Sequence, residues 1–189
     1  MQPMKRFFDT LDALCRYTAN LDAMHLLCSG CQTVGQFVSH GYIYRQLSSQ
    51  ENSIAGKRIL CSPRGGRSGC GKTTRLYLAD CLPHLRYTST ALTLFICALL
   101  AGCPIAAAYQ QATSQTDSRH AYRWLRQLQR QLPFYRHALL NHHFTITPET
   151  HGSQQNHRAC LYASLRDLFS GLTPATCAAF QLLTQHAFL

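Results

Sequence analysis

The spacing of apolar positions changes character along this chain. Between residues 4 and 19, Phe7, Phe8, Leu11, Leu14 and Cys15 recur at helical spacing, with Asp9, Asp12 and Arg16 between them, which predicts a short amphipathic helix. From Leu26 to about Leu78 the apolar segments become short and are separated by Gly, Ser and Asn. Val34 to Val38, Tyr42 to Tyr44, Arg58 to Cys61 and Thr74 to Leu78 read as strands. Helical periodicity returns from Ser89 to Leu132, broken at Gly102-Cys103-Pro104 and again over residues 113–116, so three helices are expected there. His137 to His157 is polar and reads as a loop. Two helices are expected after it, Arg158 to Ser170 and Pro174 to Phe188, the second with Thr173 at its N-cap and Pro174 in its first turn.

At 189 residues the chain makes one ordinary domain or two small ones. Hydrophobic residues make up 46% and charged residues 14%, enough apolar material for a core and too little charge for a disordered polyelectrolyte. The longest apolar run, Ala91 to Tyr109, is interrupted by Gly102-Cys103-Pro104 and reads as buried helix rather than as a membrane span. Asp9 and Asp12 stand where a signal peptide would need its apolar centre, so the expected location is the cytoplasm, at the nucleoid, with no membrane partner.

Charge narrows the class of partner. Lys and Arg total 18 against 8 Asp and Glu, and 15 of the 18 are Arg, whose planar fork suits phosphate and guanine. The cations cluster between Lys57 and Arg86 and between Arg119 and Arg136. A nucleic acid is the expected partner.

Four of the ten cysteines form a pattern. Cys28-Ser-Gly-Cys31 is a Cys-x-x-Cys turn, and Cys61 and Cys70 form a second pair flanked by Gly69 and Gly71. Two such turns at strand ends can bring four thiolates to the corners of a tetrahedron around zinc, which closes a sheet too small to be stable alone. Eight residues separate the second pair where two are usual, and His25 or His40 could replace one sulfur. The remaining cysteines are expected to be scattered free thiols.

The same stretch carries a competing signal. Residues 66–73 satisfy the phosphate-loop pattern, with Gly66, Gly71, Lys72 and Thr73 at the required spacing. Such a loop would bind ATP with Mg²⁺, Lys72 reaching the phosphates and Thr73 the metal, and would make the chain a nucleotide-binding enzyme. The two readings exclude each other, because a loop bent inward to place Cys70 on zinc cannot also wrap its amides around a phosphate.

From Thr90 to Leu132 the punctuation is that of a helix-turn-helix: Gly102 ends one helix, Pro104 begins the next, and Thr116 or Asp117 caps the third. In the third helix Ala121, Trp124, Leu125, Leu128 and Leu132 share an inward face, while Arg119, Arg123, Arg126 and Arg130 form a basic stripe. Ser118, Arg119 and Arg123 are the candidates for reading bases, and Arg126 and Arg130 for holding phosphates.

These residues resemble the zinc-ribbon plus helix-turn-helix proteins or modules associated with bacterial insertion-sequence transposases. The resemblance covers about residues 24–132 and rests on Cys28 and Cys31, the Arg58-Ile-Leu-Cys61 strand and the segment from Leu100 to Leu125. It implies binding of terminal-repeat DNA, or regulation of transposition or transcription, with a transposase or a second copy of the chain as further partner. No carboxylate triad accompanies it, so no nuclease centre is expected. The expected fold class is α+β: an N-terminal helix (1–23), a small zinc-ribbon β subdomain (24–82), an all-α helix-turn-helix subdomain (83–136), then a linker and C-terminal helices (137–189).

Overall fold

The computed structural model describes residues 4–46, 52–141 and 157–189. It is α+β, with a four-stranded sheet and six helices among the described residues. The chain divides into two compact units, Met1–Arg86 and Tyr87–Leu189.

The first unit holds the sheet, in the order β1-β4-β3-β2. Strands β2 (Phe37–Gln46), β3 (Asn52–Cys61) and β4 (Thr73–Leu78) are antiparallel neighbours, and β1 (Phe7–Phe8) joins β4 in parallel. The helix expected over residues 4–19 is therefore shorter. Phe7 and Phe8 lie in the sheet edge, and α1 (Leu11–Ala19) starts only after Thr10, whose hydroxyl accepts from the Ala13 amide. Apolar spacing did not separate the two states, because a two-residue strand forms only through its distant partner. Phe8, Leu14 and Leu21 share one core with Leu26, Cys28, Phe37, Ile59, Cys61 and Leu76.

Where β3 meets β4 the backbones approach closely at Gly56, at which a Cβ would run into the Leu76 carbonyl. Alternation along the hairpin sends Ile59 and Leu76 into the core, while Arg58 and Arg75, opposite each other in register, remain exposed.

The second unit is helical: α2 (Ser89–Leu100), α3 (Ile105–Thr113), α4 (Arg119–Asn141), α5 (His157–Gly171) and α6 (Cys177–Thr184). Thr88 caps α2 through the Ala91 amide, and Gly102 follows its end with a φ of 89°, a left-handed conformation suited to glycine. Trp124 of α4 anchors the unit, packing edge-on against Tyr87, Phe95 and Tyr109 at centroid distances of 5.0, 5.3 and 5.4 Å. A second aromatic group joins Tyr135 of α4 to Phe180 and Phe188.

Helix boundaries in α4 and α6 differ from expectation, and α6 ends at Thr184 and not at Phe188. α4 does not give way to a loop at His137 but runs through Pro133 to Asn141, because Tyr135 and Ala138 are buried one turn and two turns beyond the expected end. The rest of the expected loop lies in residues 142–156, outside the described residues. α6 is capped by Thr176, through the Ala179 amide, and not by Thr173; Pro174 precedes the helix, after a cis peptide, instead of entering its first turn. Among the described residues no helix is long and apolar enough to cross a membrane.

Candidate functional site

The first cysteine pair sits on a short turn built by local backbone bonds. The Cys28 amide donates to the Thr33 carbonyl at 2.9 Å, the Gln32 amide returns to the Cys28 carbonyl at 2.9 Å, and Leu27 and Val34 bridge just outside. Inside this turn the Gly30 amide points at the Cys28 sulfur at 3.3 Å. The second pair closes the β3–β4 hairpin. Cys61 ends β3 and bonds to Lys72 and Gly71 across the ladder, at 2.9 and 2.8 Å, which sets Cys70 beside it, and the Cys70 amide donates to the Cys61 sulfur at 3.4 Å.

The eight-residue spacing between Cys61 and Cys70 is absorbed by a side loop. The Gly69 amide bonds to the Ser62 carbonyl at 2.9 Å and pinches the loop shut at its base. Ser68 donates to the Gln36 side chain at 2.8 Å. Arg67 reaches both the Gly35 carbonyl at 2.9 Å and the Asp22 carboxylate at 2.7 Å, so the loop is tied to residues on both sides of the first pair, Asp22 before it and Gly35 and Gln36 just ahead of β2.

All four sulfurs, from Cys28, Cys31, Cys61 and Cys70, lie within 4.8 Å of one another. Cys28 is 3.7 Å from Cys70 and Cys31 is 3.6 Å from Cys61. These distances are far too long for disulfides, and all ten cysteines are free. Four sulfurs placed tetrahedrally at the ordinary zinc–sulfur distance would be about 3.8 Å apart, so the spacing fits a metal of that size. His25 and His40 are exposed and take no part in the cluster.

The thiols differ in acidity. The Thr33 hydroxyl, 2.8 Å from the Cys31 sulfur, and the Thr33 amide bring that thiol down to about 6. Burial pushes the Cys61 thiol up to about 12. Burial also acts to raise Cys28, but donors from Cys31, Gly30, Cys61 and Cys70 outweigh it and lower its pKa. Thr33, Gln36 and the Asp22–Arg67 pair were not singled out by sequence spacing; the one sequence sign was a hydroxyl two residues after Cys31.

The phosphate-loop reading of residues 66–73 is corrected by this geometry. The amides of Arg67, Ser68, Gly69, Cys70 and Gly71, which would have to cradle phosphates, are spent on Arg64, Gln36, Ser62, the Cys61 sulfur and the Cys61 carbonyl. Thr73 opens a strand paired with Leu60, where a phosphate loop requires a helix. Gly66 lies on an open turn, Gly71 takes a left-handed φ in the ladder, and the Lys72 stem passes along Gly30.

In the second unit α4 carries the expected division of faces. Ala121, Trp124, Leu125 and Leu128 are buried and Leu132 is half-buried, while Arg119, Arg123, Arg126 and Arg130 are exposed. Ser118 is half-buried immediately before the helix. Asp117 accepts from the Arg119 amide at 3.1 Å and pairs with its guanidinium at 2.6 Å, which fixes the helix start and brings the Asp117 carboxyl down to about 2. No family model matches the chain, and no curated protein or solved structure was found to be similar to it.

Proposed function

We infer that the chain binds double-stranded DNA as a zinc-stabilised helix-turn-helix protein, with α4 as the reading helix. The observation that carries this is the exposed row Arg119, Arg123, Arg126 and Arg130 on a helix whose other face is locked around Trp124. A helix held this firmly presents its cations at fixed spacing, and among the described residues only Arg119 of the four is ion-paired, to Asp117. In the usual docking its first turns meet base edges and later turns meet the backbone. That assigns Ser118, Arg119 and Arg123 to bases and Arg126 and Arg130 to phosphates. Short connections at residues 101–104 and 114–118 support the helix-turn-helix reading.

Zinc is the metal that four thiolates at tetrahedral spacing favour, and a closed four-sulfur set leaves no position for a reacting water. Its role here is to hold the turns of a ribbon-like sheet end together, with the Gly30 and Cys70 amides and the Thr33 hydroxyl steadying the sulfurs. The resemblance to transposase-associated modules makes terminal-repeat DNA the class of target. Selection of bound duplexes from a randomised pool tests the reading: wild-type protein should enrich a defined sequence, and Arg123→Ala should lose both affinity and that preference. Equal enrichment by the two proteins would remove α4 as the reader.

A further inference from the structure

The hairpin that carries Cys61 and Cys70 bears a basic face of its own. From Ser53 to Ala79 the chain has six cations and no acid. Two of them are committed within the fold. Lys57 donates to the Thr18 hydroxyl at 2.8 Å and covers the Tyr42 ring, and Arg67 is held by Asp22 and the Gly35 carbonyl. Arg58, Arg64, Lys72 and Arg75 are exposed, and among the described residues their side chains enter no ion pair.

Arg58 and Arg75 are register partners across β3 and β4, so both guanidinium groups leave the same side of the sheet, opposite the side that buries Ile59 and Leu76. Like charges placed directly opposite each other destabilise a sheet. With no ion pair to either arginine among the described residues to offset it, this repulsion is relieved when a polyanion lies across the pair. The face has no large exposed hydrophobic residue between Ser53 and Ala79, which a membrane or an amphipathic peptide would engage. Arg forks suit phosphodiester oxygens, which they can meet with paired hydrogen bonds.

We propose that Arg58 and Arg75 form a sequence-independent contact to the phosphate backbone of double-stranded DNA, on the first unit and distinct from the α4 row. The inference rests on the chain being a DNA binder, and its failure is separable from failure of that reading. The test uses the full zinc-loaded chain and a mixed-sequence duplex of about three helical turns, with affinity measured across a salt series. The double variant Arg58→Gln/Arg75→Gln should bind about 10–100-fold more weakly at roughly 0.1 M salt, with a salt slope shallower by about two. Its zinc content and its preferred sequence should be unchanged, and Arg58→Lys/Arg75→Lys should keep the wild-type slope. An unaltered slope in the glutamine variant, or an equal loss in the lysine variant, overturns the phosphate contact alone. Wild-type protein that binds no duplex overturns both this contact and the α4 reading, and binding to anionic vesicles in its place overturns the choice of DNA.

Discussion

Gly69 gives its amide to the Ser62 carbonyl, and this bond converts the long segment between Cys61 and Cys70 into a closed side loop. The metal-sized cluster depends on that pinch more than on the number of residues beyond it. A Cβ at Gly69 would collide with the Ser62 carbonyl and the Cys61 backbone. Gly69→Ala should therefore lower zinc affinity by about 10–100-fold, the range seen when groups supporting metal ligands are disturbed. Arg64→Ala, which removes an exposed cation from the same loop, should bind zinc normally. Chelator competition distinguishes these outcomes, and equal affinities would show that the pinch does not position the sulfurs.

Metal binding should depend on pH in two regimes. At neutral pH the Cys61 thiol, pushed up to about 12, must release a proton to solvent before its sulfur can ligate a metal, whereas Cys31, at about 6, is already mostly thiolate. Zinc affinity should rise with pH throughout this range. Below about pH 6 its dependence should steepen by one proton, because Cys31 is then protonated as well. Zinc competition titrations across that pH would reveal the steepening, and a single slope through the whole range would contradict the assigned acidities.

Removing a ligand should unfold the first unit rather than disable it locally. Cys28 and Cys61 are both buried among Phe8, Leu14, Phe37 and Leu76, so the cluster is continuous with a small apolar core. Cys61→Ser or exhaustive chelation should abolish the cooperative melting of the sheet, since structural zinc contributes on the order of 10 kcal/mol in small domains. Hydrogen exchange of the β3–β4 ladder reports it directly. Retained protection would mean that the apolar core suffices without metal.

Asp117 restrains the first arginine of the α4 row. Asp117→Asn keeps an oxygen for the Arg119 amide but removes the ion pair and one negative charge from the reading end. Duplex affinity should rise several-fold at low salt, with the gain fading as salt screens the change. Isothermal titration at two ionic strengths checks this, and weaker binding would place Asp117 itself in contact with DNA.

Much of this arrangement was legible in the sequence, for identifiable reasons. Strand β4 and the α2–α4 helices follow from periodicity and from punctuation at Gly102 and Pro104, which act locally, whereas residues 34–38 and 42–44, expected as two strands, fall on or beside the single strand β2, and β3 begins at Asn52 and not at Arg58. The Cys28, Cys31, Cys61 and Cys70 set was readable because few residue types ligate zinc in pairs of turns. What escaped depends on distant partners. Phe7 and Phe8 become a strand only beside Tyr77 and Leu78, and α4 survives Pro133 because Tyr135 finds Phe180 and Phe188. The phosphate-loop pattern at Gly66–Thr73 misled for the same reason: its letters are local, but its meaning depends on whether a helix or a strand follows.

The central claim is that four cysteine sulfurs hold one zinc ion. X-ray absorption at the zinc edge of the purified protein tests it most directly. The expected result is one zinc per chain with four sulfur neighbours at about 2.3 Å. A shell containing nitrogen or oxygen, or protein that folds fully with no zinc bound, would contradict it.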